Sequence, residues 1–461
     1  MGYYIHGLAY RVNDRQIDYI ERTLFHKPYV MRLFFFSVIV MTALSVSAQT
    51  GTKQTSIRVN EQRIERRIQE LAGFGKDAQG RGYRVAFTPG DIKARSWFMD
   101  LMKKAGLEVS IDAAGNIIGK RKGKNPSLKP IAFGSHIDMV PDGGNYDGCV
   151  GSIGGLEVIE LLNEQKLVTN HPLELIIFSN EEGGTIGSMA MVGNLTAEGL
   201  KQVSQSGLTM AEGIRAVSGN PDEIARSKRN KGDIHAYFEL HIEQGGILDK
   251  EKMHIGVVEG IVGIIHWEVT VEGFANHAGT TPMDMRKDAL LAASKLVVAV
   301  NEVVTSVEGR QVGTIGKIAA MPGAYNVIPG KVVMGLEIRD LSYDKIWQLF
   351  REIEKRAASI ASSSGVQISF RKEPNESRPA MADKELQAGI VQAAKGLNYS
   401  YRFMQSGAGH DAQEIAHIAP VAMIFIPSIG GISHSPKEYS TPVDMANGAN
   451  VLLQAILSTD K

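Results

Sequence analysis

Four short apolar runs in this chain each end in His or acidic residues, and that arrangement constrains the fold more than any other feature. The first, Pro130-Ile-Ala-Phe133, runs into Gly134-Ser-His-Ile-Asp-Met-Val-Pro-Asp-Gly-Gly-Asn-Tyr-Asp-Gly148 and then into Leu156-Glu-Val-Ile-Glu-Leu-Leu162. Periodicity makes this a strand, a loop and a helix start. Such a junction is where an α/β sheet places its chemistry. His136 and Asp138, two apart, share one face of a strand. Gly143 and Gly144 let Asp147 fold back over that strand end, so an imidazole and a carboxylate can meet at a metal. Asp138 is placed to accept the other N–H of His136, which fixes a liganding tautomer. The bland alternative is a loop with ordinary capping aspartates.

The second run, Leu173-Glu-Leu-Ile-Ile-Phe-Ser-Asn, ends in Glu181-Glu182-Gly183. Adjacent side chains at a strand end point in different directions. One carboxylate can therefore bind a metal while its neighbour carries a proton for a hydrolysis. In the third, Tyr237-Phe-Glu-Leu-His-Ile-Glu-Gln-Gly245, alternation puts Glu239, His241 and Glu243 on one face, with His241 the expected ligand and Gln244 a substrate hydrogen-bonder. A half-exposed edge strand is the alternative there. The fourth, Val421-Ala-Met-Ile-Phe-Ile-Pro427, leads into a loop that delivers His434. His136, Asp147, Glu182, His241 and His434 form a mixed imidazole and carboxylate set suited to Zn or Mn rather than to a thiolate site. His410, in Ser406-Gly-Ala-Gly-His-Asp-Ala412, is placed behind them. The lone Cys149 allows no intrachain disulfide and reads as a small packed residue.

At 461 residues the chain exceeds one comfortable core, so two domains are expected. Between Gly260 and Pro374 the pattern becomes strand, helix, strand, strand, helix, strand, the order of a split βαβ domain. The expected organisation is a leader over 1–48, a metal-binding domain in two parts (49–260 and 376–461) and an inserted domain over 261–375. His277, Asn326 and Arg339 lie at strand ends of the insert, placed to close over a substrate like a lid. The Arg339 guanidinium suits bidentate capture of a carboxylate. Lys+Arg and Asp+Glu are equal at 50 each, so no basic excess points to nucleic acid. Met31-Arg32, the apolar Leu33–Val46 and Ser47-Ala48-Gln49 have the layout of a secretory signal. We expect a start at Met31, cleavage after Ala48, residues 1–30 as an upstream misreading or a long leader, and an exported protein, periplasmic or secreted. An uncleaved anchor is the alternative, although the run is short for a membrane span. Residues 49–60 read as a polar linker.

From roughly Ile57 to the C-terminus the chain resembles the M20 metallopeptidase clan, in the amidase branch of N-carbamoyl-L-amino acid hydrolases, allantoate amidohydrolases and β-ureidopropionases. The resemblance rests on Gly-Ser-His-Ile-Asp, Ser-Asn-Glu-Glu-Gly, Leu-His-Ile-Glu-Gln-Gly, Asn-His-Ala-Gly-Thr-Thr-Pro-Met, Ser-Gly-Ala-Gly-His-Asp-Ala and Ile-Ser-His-Ser-Pro-Lys-Glu. It implies a mixed-sheet α/β domain binding two divalent ions, Zn or Mn with Co possible, through His136, Asp147, Glu182, His241 and His434, with Asp147 bridging. It also implies that Glu181 is the general base, that Asp138 partners the first His, and that the insert is a ferredoxin-like lid and dimerisation domain. By the same resemblance His277 stabilises the transition state across a homodimer, Asn326 and Arg339 bind a substrate carboxylate, and Gln244 faces the substrate. The implied reaction is hydrolysis of a linear C–N bond in a small carboxylate-bearing ureido compound, with release of ammonia. One departure stands out: the family's Arg-Phe and longer insertion are missing from Gly183-Gly-Thr-Ile-Gly-Ser-Met189, which leaves an exopeptidase or aminoacylase as the rival. A secreted binding protein without turnover is a further rival, disfavoured because Glu181 and the ligand set are all present.

Overall fold

The computed structural model describes residues 57–374 and 376–461; the signal and cleavage expected at residues 31–48 lie outside the described residues. Among these residues nine strands form one mixed sheet. Its centre is four neighbouring parallel strands, in the order Leu173–Phe178, Ile131–His136, Ala236–Ile242 and Val421–Ile426. Every residue of these four strands is buried, which explains why they are mostly apolar. Because they are parallel, their carboxyl ends open at one edge. Antiparallel strands extend the sheet on both sides: Ile117–Arg121 and Glu108–Ile111 on one, Ile255–Ile261 on the other.

Helices cover both faces. Glu61–Ala72 is capped by Asn60, whose side chain accepts from the Arg63 N–H, and Pro89–Lys104 is capped by Thr88. With Cys149–Glu164, Lys384–Gly396 and Pro442–Thr459 they bury Ile64, Phe98, Leu156, Ile390 and Leu452 against the sheet. The opposite face packs Phe178, Tyr237, Met404 and Phe425. The linker expected over 49–60 is corrected at its described end: the Val59 N–H donates to Asn450 Oδ1 (3.0 Å) and the Asn60 N–H to Glu157 Oε1 (2.8 Å). These partners sit on helices far along the chain, where local composition gives no sign of them.

A smaller antiparallel sheet runs in the order Gln367–Lys372, Gly263–Glu272, Lys331–Asp340, Val312–Met321. Ala289–Ser306 and Tyr343–Ser364 pack on one of its faces around Trp267, Leu296, Val300, Leu336 and Phe350. Ala289–Ser306 is long and apolar enough by composition to cross a membrane. Its apolar face instead fills this core through Ala292, Leu296, Val300 and Val303. Beside the sheet, Asn276–His277 and Val327–Ile328 form a two-stranded ladder.

Candidate active site

The open edge of the four parallel strands gathers His136, Asp147, Glu182, His241 and His434. His136 is the last residue of its strand, and its Nδ1 lies 3.2 Å from the backbone carbonyl of Asp138. His241 Nδ1 lies 2.9 Å from the carbonyl of Ile242. Those carbonyls can only accept, so each ring carries its proton on Nδ1 and turns Nε2 inward. Both Nε2 atoms meet Asp147: His241 at 3.0 Å and His136 at 3.7 Å, each to Oδ1. On the other side, His434 Nε2 is 3.3 Å from Asp147 Oδ2 and 3.4 Å from Glu182 Oε2. Ligand atoms of His136, Asp147 and His241 all lie within 4.8 Å of one another, as do those of Asp147, Glu182 and His434. Asp147 belongs to both groups.

The residues present fit cation binding. Among the described residues His136 Nε2 is buried without a hydrogen-bond partner, a costly state for an imidazole nitrogen unless something else engages it. The helix Cys149–Glu164 begins at Gly148, with φ +63°, and a Cβ there would come within 2.2 Å of that nitrogen. The Gly148 N–H also donates to His241 Nε2 (3.1 Å). Imidazoles and carboxylates in this mixture suit a divalent cation.

The electrostatics of the protein alone point the same way. Burial lowers the His136 imidazole to about 4. Burial also opposes charge on His241, but Asp147 outweighs it and raises that ring to about 9. Burial, then the Asp147 charge, pushes Glu182 up to about 8, and burial with Asp411 and Glu182 nearby holds Glu181 well above the usual carboxyl range. Burial raises Asp138 to about 6. Asp147 alone among these acids is held low, since His241, His434 and His136 overcome its burial. So many carboxylates in one buried pocket call for cations.

Glu181 Oε2 lies 3.5 Å from His136 Nε2, beside the cluster. The Asp138 carboxylate is 3.7 Å from His136 Nδ1, farther than its own carbonyl, and instead accepts from the Glu182 N–H (3.2 Å) and, at 3.4 Å, from that of Glu181. Asp138 thus serves the turn that separates the two Glu side chains. Gln244 Nε2 donates to Asp147 Oδ2 (2.6 Å). Glu243, expected on the His241 face, lies past the strand and accepts from the Ile247 and Leu248 N–H groups at a helix start. The His241 strand is central, between Ile131–His136 and Val421–Ile426, which removes the edge-strand alternative.

Arg339, His277 and Asn326 are placed differently. Arg339 grips Glu337 through Nε (2.6 Å) and Nη2 (2.9 Å), and its Nη1 donates to the Gly407 carbonyl (2.6 Å). His277 and Asn326 are exposed at the ladder, and among the described residues no hydrogen bond or ion pair joins them to the Asp147 cluster. His277 Nδ1 accepts from the Gly279 N–H (3.0 Å), and the Asn326 carbonyl from the Ala278 N–H (2.9 Å). Sequence reasoning put Glu239 on the His241 face without giving it a partner, and gave no role to Ser433, Asp411 or Glu438. Glu239, fully buried, accepts from Ser135 Oγ (2.7 Å) and the Ala412 N–H (2.9 Å) beneath His241, whose ring lies 4.5 Å from that of His410. The alternation that exposed His241 also contained Glu239. For Glu438 only the loop motif around His434 was a signal.

A sequence model described as Peptidase family M20/M25/M40 matches residues 132–458. The chain is 38% identical over 403 residues to an N-carbamoyl-L-amino acid amidohydrolase of Geobacillus stearothermophilus, covering 86% of this chain and 98% of the relative. It is 38% identical over 410 residues to a ureidoglycolate hydrolase of Arabidopsis thaliana, covering 86% of each. The crystal structure of an amidase of the hydantoinase/carbamoylase family from Burkholderia multivorans superposes with a TM-score of 0.83 at 36% identity, covering 88% of this chain and 99% of that one.

Proposed function

The chain belongs to the M20/M25/M40 peptidase family, among its hydantoinase/carbamoylase amidases, and from that premise we propose that it hydrolyses the linear C–N bond of an N-carbamoyl amino acid or a related ureido compound, releasing ammonia. The observation that carries this reading is the pair of ligand groups sharing Asp147, with the unshared carboxylate of Glu181 3.5 Å from His136. Two divalent ions, Zn or Mn with Co possible, held by His136, Asp147 and His241 and by Asp147, Glu182 and His434, would supply Lewis acidity that polarises the carbonyl and acidifies the attacking water.

The chain's own groups do the rest. Glu181 takes a proton from the attacking water and passes it to the departing nitrogen. Asp138 keeps Glu181 and Glu182 apart through their backbone N–H groups, so that one carboxylate stays free for the proton. Gln244 orients Asp147 and faces the substrate. Arg339 receives the substrate carboxylate at Nη1, where it now holds the Gly407 carbonyl, while Glu337 fixes the plane of the guanidinium. In this reading residues 261–375 are a lid and dimerisation domain inserted between 49–260 and 376–461, and His277 with Asn326 completes the partner subunit's site, His277 donating to the developing oxyanion. Exposed His277, with the exposed apolar Phe274, Met283, Met285 and Tyr325 close in sequence to the ladder strands, supports that use of the ladder. The enzyme works after export, a view supported by the signal-like pattern at residues 31–48.

The test is ammonia release by leader-free protein loaded with Zn, Mn or Co, on N-carbamoyl-L-amino acids, ureidoglycolate, allantoate and dipeptides in parallel. Ammonia from a ureido compound, abolished by chelation and restored by metal, is the expected result. Free amino acids from dipeptides without ammonia would overturn it in favour of an exopeptidase, with the short Gly183–Met189 segment as the remodelled wall.

A further inference from the structure

Glu438 is a buried carboxylate whose hydrogen bonds, among the described residues, go to the loops that carry Asp147 and His434. Oε1 accepts from the N–H groups of Tyr146 (2.8 Å) and Asp147 (3.1 Å). Oε2 accepts from the His434 N–H (3.3 Å) and from Ser433 Oγ (2.8 Å), and that hydroxyl stands 3.0 Å from Asp147 Oδ2. One side chain thus joins the backbone of the shared ligand to that of His434, across 292 residues of sequence to Tyr146. Two further features show that the connection is built in. His434 has φ +53°, a left-handed backbone that a non-glycine residue keeps only where its surroundings impose it. Gly144 leaves room for the carboxylate, since a Cβ there would come within 2.1 Å of Glu438 Oε1. His136 and His241 receive nothing from Glu438; their rings are oriented by strand-end carbonyls.

We infer that Glu438 is a positioning residue that sets the separation of Asp147 and His434, and so controls binding of one of the two cations, the one shared by Asp147, Glu182 and His434. This rests on the two-cation reading above. The consequence is an asymmetric site: one cation position is set by the central strands, the other by a carboxylate that ties two loops together.

The test measures Zn and Mn binding to metal-free protein by competition with a chromogenic chelator, with the melting temperature of the metal-free form recorded alongside. Glu438→Gln replaces an acceptor oxygen by an amide that meets N–H groups it cannot serve. It should bind one cation as wild type does and the second about 10–100-fold more weakly, the usual cost of losing a group that orients a ligand. Turnover should fall at low metal and recover as metal is raised, with KM unchanged. Equal tight binding of both cations, or weakening of both in step with a lowered melting temperature, would overturn the inference. If Glu438→Gln does not fold, Ser433→Ala, which removes only the hydroxyl link, must show the same selective weakening to a smaller degree; unaltered binding in it is equally fatal. Wild-type protein that binds a single cation would sink the two-cation reading itself, an outcome distinct from two tight sites in both proteins.

Discussion

The two sheets treat polar residues in opposite ways. On the larger sheet His136 and His241 are buried at or next to strand ends, their Nδ1 atoms tied to carbonyls and their Nε2 atoms turned to Asp147. On the smaller, Arg339 is held by its neighbour Glu337 and His277 stands exposed on a two-stranded ladder. One region brings its His and acidic residues together at one edge; the other leaves His277 exposed and Arg339 paired to its neighbour. The difference teaches that buried parallel strands can bring distant residues together at one edge, while residues on the smaller sheet and the ladder beside it are held mainly by neighbours close in sequence.

The strongest way to break the comparison is Glu181→Gln. It should leave metal binding intact and lower kcat by about 10²–10⁴-fold, the span of general-base catalysis. Metal analysis beside steady-state kinetics decides it, and near-normal turnover would remove Glu181 as base. Next comes His277→Ala, expected to cost about 10²–10³-fold if it supplies an oxyanion donor. Co-refolding that variant with Glu181→Gln should restore part of the activity, because one mixed site then has an intact Glu181 from one chain and an intact His277 from the other. Two inactive proteins that stay inactive together would confine His277 to its own chain or remove it from catalysis.

Arg339→Ala should raise KM for carboxylate substrates by about 10–100-fold, in line with a hydrogen bond to a charged group. The same change with a carboxamide analogue should be small, and an equal effect on both would deny Arg339 its selectivity. The smallest effect on turnover is expected from Leu296→Ala in the core of the smaller sheet. Calorimetry should register a loss of about 2–5 kcal/mol of stability, while metal affinity stays at the wild-type value. A parallel loss of metal would mean that the regions are coupled more tightly than their separate cores indicate.

What was legible in the sequence followed the same divide. The central strands announced themselves because parallel strands buried on both faces are written as apolar runs, and polar residues at their ends stand out against them. The helix Glu61–Ala72 shows the helical counterpart, with Ile64, Ile68 and Leu71 recurring on its buried side. The order of elements in the smaller sheet was equally readable from its alternating strands, such as Gly263–Glu272 with every second residue buried. Residues whose partners are distant in sequence were not. Val59 looks like linker until Asn450 is beside it, and Glu438 looks like the end of a loop until Asp147 folds onto it. Asp138 was read for its neighbour His136, but its carboxylate chiefly serves the 181–182 turn. A carboxylate that accepts from backbone N–H groups leaves no periodic trace, because its partners are present at every residue of the chain.

Gly148 has a bearing on how relatives of this chain are to be sorted into working and silent copies. It donates no atom to a cation, yet any side chain at that position would occupy the space in front of His136 Nε2 and strain a backbone at φ +63°. A duplicated gene could therefore keep all five proposed donors and the proposed base, pass every inspection of those side chains, and still encode a protein that no longer takes up a cation. A loss of that kind would be written at a glycine, where an inventory of reactive groups does not look.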